Sequence, residues 1–192
     1  MGFRYLIGID EAGRGPLAGP LCVGACLVHA ETKRRALAAL RGVRDCKQLT
    51  PEKRLLWLLR IKHEAKQGTL LFTSSFVAPS VIDSSGMAYA LRHAIHRCLK
   101  RLPAAPERAL IKLDGGLRAP ACYPFQETIV DGDEREPLIA AASIVAKVRR
   151  DRYMVRLARR FPQYDFEIHK GYGTKRHFEA LRKYGVSEVH RR

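Results

Sequence analysis

Gly8-Ile9-Asp10-Glu11-Ala12-Gly13-Arg14-Gly15-Pro16 lies near the start of a 192-residue chain and overlaps the apolar run Tyr5-Leu6-Ile7-Gly8-Ile9. A short run rich in β-formers reads as a buried strand. Two adjacent carboxylates close it, and Gly13, Gly15 and Gly19 follow, interleaved with Pro16 and Pro20. Neighbouring side chains of a regular strand point to opposite faces, so Asp10 and Glu11 share a ligand only if the strand kinks or ends between them. The glycines beyond make such a break plausible. Carboxylates closing an apolar strand are costly unless a cation neutralises them, and hard oxygen ligands suit Mg²⁺ or Mn²⁺. Gly13 and Gly15 permit close backbone approach to a ligand, with Arg14 between them as a donor fork for phosphate or sugar. A polar turn without chemistry is the competing reading of these few residues.

The same pattern recurs further along. Arg108-Ala109-Leu110-Ile111-Lys112-Leu113 reads as a strand ending in Asp114-Gly115-Gly116, and Thr128-Ile129-Val130 precedes Asp131-Gly132-Asp133-Glu134. Asp-Gly is also a common turn dipeptide, so Asp114 alone is ambiguous. From Pro137 the alanine-rich stretch predicts a long helix to about Arg160, its small side chains suited to close packing on a sheet. Ser143, Lys147 and Arg150 fall on nearly one face of it, a face that could meet phosphates.

Between these segments strands and helices alternate. Leu21–Val28 predicts a second, central strand, and residues 31–40 could form a short exposed helix or an excursion before Asp45. A helix capped by Thr50, with Pro51 at its first position, should run to Gln67 and stop at Gly68. Thr69–Val77 predicts a strand ended by Pro79, followed by a helix from about Gly86 to Lys100 capped by Asp83, Ser84 or Ser85. Beyond the long helix, His169-Lys170-Gly171-Tyr172-Gly173-Thr174 forms a glycine-flanked loop, and Thr174 caps a last helix, Lys175 to Tyr184, ended by Gly185. The interleaving indicates an α/β class, and the length one domain, 1–192, with a C-terminal helical region at about 163–192.

Taken in order, Gly-Ile-Asp-Glu-Ala-Gly-Arg-Gly-Pro, the strand ending in Asp114-Gly115, the Gly132-Asp133 before the alanine-rich helix, and His-Lys-Gly-Tyr-Gly-Thr resemble the signatures of the type 2 ribonucleases H, the ribonuclease HII family. The resemblance spans essentially the whole chain. It implies a ribonuclease H-like fold, a mixed sheet with helices on both faces. It also implies that Asp10, Glu11, Asp114 and Asp133 hold two Mg²⁺ or Mn²⁺ ions for phosphodiester hydrolysis. The chain departs from the family at Asp131, where lysine is usual. By the same resemblance, Gly13, Arg14, Gly15 and Tyr172 read a 2′-hydroxyl at an RNA-to-DNA junction, the Tyr172 ring packing on the sugar of the following deoxynucleotide. Ser143, Lys147 and Arg150 align with the second family signature, and Lys47, Lys147 and Arg150 would supply salt-sensitive phosphate contacts. The implied activity cuts RNA in RNA/DNA hybrids and nicks duplex DNA 5′ to a single ribonucleotide, leaving 3′-hydroxyl and 5′-phosphate ends.

Composition agrees with such a partner. Lys and Arg total 35 against 19 Asp and Glu, a formal charge of +16. That excess favours a polyanion, although a ribosomal or membrane-surface protein would share it. The five cysteines show neither Cys-x-x-Cys nor zinc-like spacing and read as reduced core thiols of a cytoplasmic chain. No signal-like segment and no run of about 18 apolar residues is present, so a soluble protein without membrane contact is expected; the chain is separately expected to act as a monomer. His93 and His96 have no third ligand nearby and read as a solvated basic helix face. Two alternatives stand beside the main reading. Ribonuclease HIII carries Lys where Arg14 stands and usually an extra N-terminal domain, neither of which this sequence shows. A non-catalytic basic nucleic-acid-binding protein would bind hybrid without metal-dependent turnover.

Overall fold

The computed structural model describes residues 2–43 and 49–192. β1 (Tyr5–Ala12) pairs antiparallel with β2 (Leu21–His29), which pairs antiparallel with β3 (Leu71–Val77). On the other side, β4 (Ala109–Asp114) runs parallel to β1, and β5 (Gln126–Ile129) parallel to β4. The sheet order is therefore β3-β2-β1-β4-β5, a mixed sheet as expected. The helices are α1 (Lys33–Ala39), α2 (Pro51–Lys66), α3 (Pro79–Lys100), α4 (Gly132–Arg135), α5 (Pro137–Arg160), α6 (Phe166–His169) and α7 (Lys175–Tyr184).

Alternation along β1 divides its side chains between two apolar layers. Ile7 and Ile9 pack with Leu91 and Ile95 of α3 on one face. On the other face Cys26 and Val28 of β2 pack with Ala141 and Val145 of α5 and with Leu58 and Ile61 of α2. The alanine-rich helix lies very close to the sheet because β1 and β2 present glycines to it. A Cβ at Gly8 would sit 2.3 Å from the Leu138 carbonyl carbon, and one at Gly24 would sit 2.2 Å from Ala142 O. This close approach brings the polar side chains of α5 to the ends of the strands.

Local signals behaved as their chemistry dictates. Thr50 Oγ1 accepts from Lys53 N–H at 3.3 Å, and Thr174 Oγ1 accepts from His177 N–H at 3.3 Å. α3 differs from expectation: Pro79 is its first residue, and Gly86 interrupts it with φ 80° and ψ 161°. Pro79 ends the strand and begins the helix at once, since its fixed φ suits a first helical position. The predicted start at Gly86 is thus a kink. Cys22, Cys26 and Cys98 are buried free thiols, whereas Cys122 is exposed, so not every cysteine belongs to the core; Cys46 lies outside the described residues. No described helix is long and apolar enough to cross a membrane.

Candidate active site

Asp10 and Glu11 do meet, although not through a break in their strand. β1 keeps its pairing with β2 through Ala12, while its pairing with β4 stops at Ile9–Leu113. The two acids occupy the stretch whose β4 edge has been released, which gives the longer Glu11 side chain room to turn toward Asp10. Asp114 ends β4 beside them, and its Oδ1 accepts from Gly132 N–H at 2.7 Å. One oxygen from each of Asp10, Glu11 and Asp114 lies within 4.8 Å of the others, and no other such cluster occurs among the described residues.

Burial raises the Asp10 carboxyl well above its ordinary range, with the Glu11 charge pushing the same way. Opposing them, the Ser143 side chain hydrogen-bonds Asp10. Glu11 is raised too, chiefly by burial, against the lowering influence of its bond with Asp10 and of Arg14, whose Nη1 is 3.7 Å away. Acids so placed carry a cost when ionised that a cation removes. Carboxylate oxygens alone, with one Asp114 oxygen outside the Gly132 bond, form a donor set that fits Mg²⁺ or Mn²⁺.

Asp133, in the first turn of α4, is 3% exposed, but its carboxylate is not among the three grouped oxygens. It follows directly on Gly132, which holds Asp114. Asp131 instead caps α4 in the left-handed region, φ 52°, and is exposed. Of the two aspartates flanking Gly132, Asp133 is therefore the one turned inward.

A cleft of ≈ 460 Å³ opens at the acids, lined by Glu11, Ala12, Gly13, Arg14, Gly15, Arg54, Ser143, Lys147 and Tyr172. A second, of ≈ 680 Å³, shares Arg54, Lys147 and Tyr172 with it and adds Arg152, Arg156 and Lys170. Tyr172 is 40% exposed, with Lys147 Nζ 5.6 Å from its ring centre. Lys147 also donates to Asp151 Oδ1 at 2.9 Å. Thus Glu11, Gly13, Arg14, Gly15, Ser143, Lys147 and Tyr172 come together in one cleft. Lys47 lies outside the described residues.

Arg150 requires a correction. It is 0% exposed, and its guanidinium donates to Pro20 O at 2.9 Å, Lys170 O at 3.0 Å and Ala18 O at 3.2 Å. A fork engaged with three carbonyls does not reach a phosphate; it joins the Gly13–Pro20 loop to the Tyr172 loop. The close packing explains Gly13, where a Cβ would sit 2.0 Å from Arg150 Nε. Arg54 carried no motif and enters the walls of both clefts through the fold alone, while Lys170, within the His-Lys-Gly-Tyr-Gly-Thr loop but assigned no role by its sequence, lines the second.

Sheet, helix placement and carboxylate cluster define the class: a ribonuclease H-like fold with a cluster of three acids at its strand ends. The family model described as Ribonuclease HII matches residues 7–192. Ribonuclease HII of Caldicellulosiruptor bescii is 40% identical over 190 residues, covering 99% of this chain and 86% of the relative. That of Geobacillus kaustophilus is 41% identical over 191 residues, covering 100% and 68%. Among solved structures, the PCNA:RNase HII complex from Archaeoglobus fulgidus matches with TM-score 0.74 and 25% identity over 97% of this chain and 93% of that one. Ribonuclease H2 from Pyrococcus horikoshii matches with TM-score 0.71 and 26% identity over 98% and 92%. The chain belongs to the ribonuclease HII family, and it is a nuclease.

Proposed function

We propose that this chain, a ribonuclease H acting on RNA/DNA hybrids, also nicks duplex DNA on the 5′ side of a single embedded ribonucleotide, leaving 3′-hydroxyl and 5′-phosphate ends. The observation that carries this reading is that Glu11 of the acidic cluster, the Gly13-Arg14-Gly15 backbone and the Tyr172 ring line one cleft. A site so arranged can test a ribose and present the adjoining phosphate to the acids together.

Asp10, Glu11, Asp114 and Asp133 would hold two Mg²⁺ or Mn²⁺ ions. Bound there, the ions supply a more acidic attacking water and neutralise charge on the departing 3′ oxygen. The chain's own groups do the positioning. Ser143 holds the Asp10 carboxylate, and the Gly13-Arg14-Gly15 backbone donates to the 2′-hydroxyl that marks RNA. Tyr172 packs on the sugar of the next deoxynucleotide. Arg14, Arg54 and Lys147 line the cleft and give phosphate contacts that weaken with salt, and Lys47 is assigned the same role. We take residues 1–192 as one catalytic domain that includes the C-terminal helices, acting as a monomer, and as cytoplasmic, the last supported by three buried unpaired thiols.

The test is cleavage of a DNA duplex carrying one ribonucleotide, in Mg²⁺, Mn²⁺ or chelator, by the wild type and Asp10→Asn. Metal-dependent nicking 5′ to the ribonucleotide, lost in the variant, is expected. Binding without cutting by either protein, on this duplex and on a longer hybrid, would replace the catalytic reading with a binding one.

A further inference from the structure

Arg191 lies outside every motif and does not line the active-site cleft, yet three carbonyls of the glycine loop converge on it. Its Nη2 donates to Gly13 O at 2.7 Å and Gly19 O at 2.8 Å, its Nη1 to Arg14 O at 3.0 Å, and its Nε to Gly19 O at 3.0 Å. The backbone carrying Arg191 is itself secured, since Arg191 N–H donates to Leu17 O at 2.8 Å and Gly19 N–H to Val189 O at 2.9 Å. A planar guanidinium offers its donors in a fixed fork, so these bonds set the tilt of the peptide planes after Gly13 and after Arg14.

The consequence follows from peptide geometry. In a trans peptide the C=O and the next N–H point in opposite directions, and no peptide bond among the described residues is cis. Turning Gly13 O and Arg14 O onto Arg191 therefore aims Arg14 N–H and Gly15 N–H away from it. Gly13, Arg14 and Gly15 line the cleft, and neither of these two N–H groups donates to any other described residue. Two unused backbone donors side by side, held from behind, suit a hydroxyl that must be distinguished from hydrogen.

We propose that Arg191 is a positioning residue for ribose recognition: it clamps the carbonyls of Gly13, Arg14 and Gly19 so that Arg14 N–H and Gly15 N–H present a preset donor pair to the substrate 2′-hydroxyl. This rests on the reading of that loop as the 2′-hydroxyl contact. Lysine at 191 keeps a charge but offers one point instead of a fork, so it cannot hold both peptide planes.

The experiment compares two duplexes that differ only by one 2′-hydroxyl, bound in Ca²⁺, a hard cation of looser coordination than Mg²⁺. Affinities and melting temperatures are measured for the wild type, Arg191→Lys and Arg191→Ala. The wild type should prefer the ribonucleotide duplex. In both variants that preference should fall about tenfold, the worth of one lost hydrogen bond, while affinity for the all-DNA duplex is kept. Millimolar guanidinium should restore part of the preference in Arg191→Ala. A clamp that is merely structural would lower the melting temperature and weaken both duplexes by the same factor; that result, or an unchanged preference, overturns the proposal. Arg191→Lys carries the test if the alanine variant fails to fold. A wild type without any preference would instead refute the reading of the loop itself and remove the basis of this inference.

Discussion

Ser143, within α5, hydrogen-bonds the carboxylate of Asp10 near the end of β1. The bond favours the ionised form of a group that burial and Glu11 push toward the protonated one. Removing the hydroxyl in Ser143→Ala raises the Asp10 carboxyl further and frees its orientation. Partners that orient a metal ligand are typically worth 10- to 100-fold in metal affinity. We expect half-saturation by Mg²⁺ to rise by about tenfold in Ser143→Ala, with the rate at saturating Mg²⁺ closer to wild type. A Mg²⁺ titration of cleavage measures both, and an unmoved half-saturation would leave Ser143 with a packing role only.

Asp10 and Glu11 take up protons more readily in the folded chain than in the unfolded one, chiefly because they are buried. The folded state then binds more protons, so stability in chelator declines as pH rises above the unfolded carboxyl range, near roughly 4. Asp10→Asn removes one of these charges. In chelator at neutral pH it should be more stable than the wild type by about 1 to 2 kcal/mol, and it should gain less on addition of Mn²⁺. Thermal unfolding of both proteins with and without Mn²⁺ decides. A wild type that is the more stable in chelator would mean the acids are already compensated by the protein.

What the sequence disclosed and what it concealed divide by range. The start of β1, the end of β4, the Thr50 and Thr174 caps and the span of α5 rest on neighbours within a few residues, and all were legible, whereas β1 runs past its two acids to Ala12. Arg150 was misread because helical spacing puts it with Ser143 and Lys147, while the carbonyls that bury it belong to residues 18, 20 and 170. Arg191 was silent for the same reason: its partners lie at residues 13, 14 and 19. The meeting of Asp10 with Glu11 depended on where β4 stops pairing with β1, which no local pattern encodes. Pro79 failed as a signal because proline ends a strand and begins a helix equally well.

Gly24 faces α5 without space for a side chain. An added Cβ would lie 2.2 Å from Ala142 O and 2.9 Å from Ala146 N, both backbone atoms of a helix that cannot yield by rotating a side chain. Gly24→Ala must therefore push α5 off the sheet, at a cost of about 1 to 3 kcal/mol. Because Gly24 is also the cross-strand partner of Asp10, the shift separates Ser143 from that carboxylate. A melting temperature lower by several degrees is expected, together with a raised Mg²⁺ half-saturation like that of Ser143→Ala. A melting temperature equal to wild type would contradict the close packing.

Beneath the Tyr172 loop three buried histidines form a relay with every ring nitrogen engaged. His190 Nδ1 accepts from Ser187 N–H at 2.9 Å, so the proton on His190 lies on Nε2 and is donated to His177 Nε2 at 3.0 Å. His177 Nδ1–H in turn donates to Tyr172 O at 2.9 Å. His169 Nε2–H donates to Tyr164 O at 2.6 Å while its Nδ1 accepts from Gly171 N–H at 3.1 Å. A further proton on any of them must displace a donor, and burial lowers all three, His190 to about 4. The unfolded chain then binds more protons than the folded one below the ordinary histidine range of roughly 6.5. The stability is complete above that pH and is lost as pH falls toward about 4, by up to about 3 kcal/mol for His190. This slope is opposite in sign to that of the acidic cluster, and chelator does not alter it. Melting temperatures should fall between about pH 7 and pH 5, less steeply in His190→Gln, and the His190 ring protons should stay untitrated over that interval by NMR. A His190 titration centred near an ordinary histidine value would remove the relay as the cause.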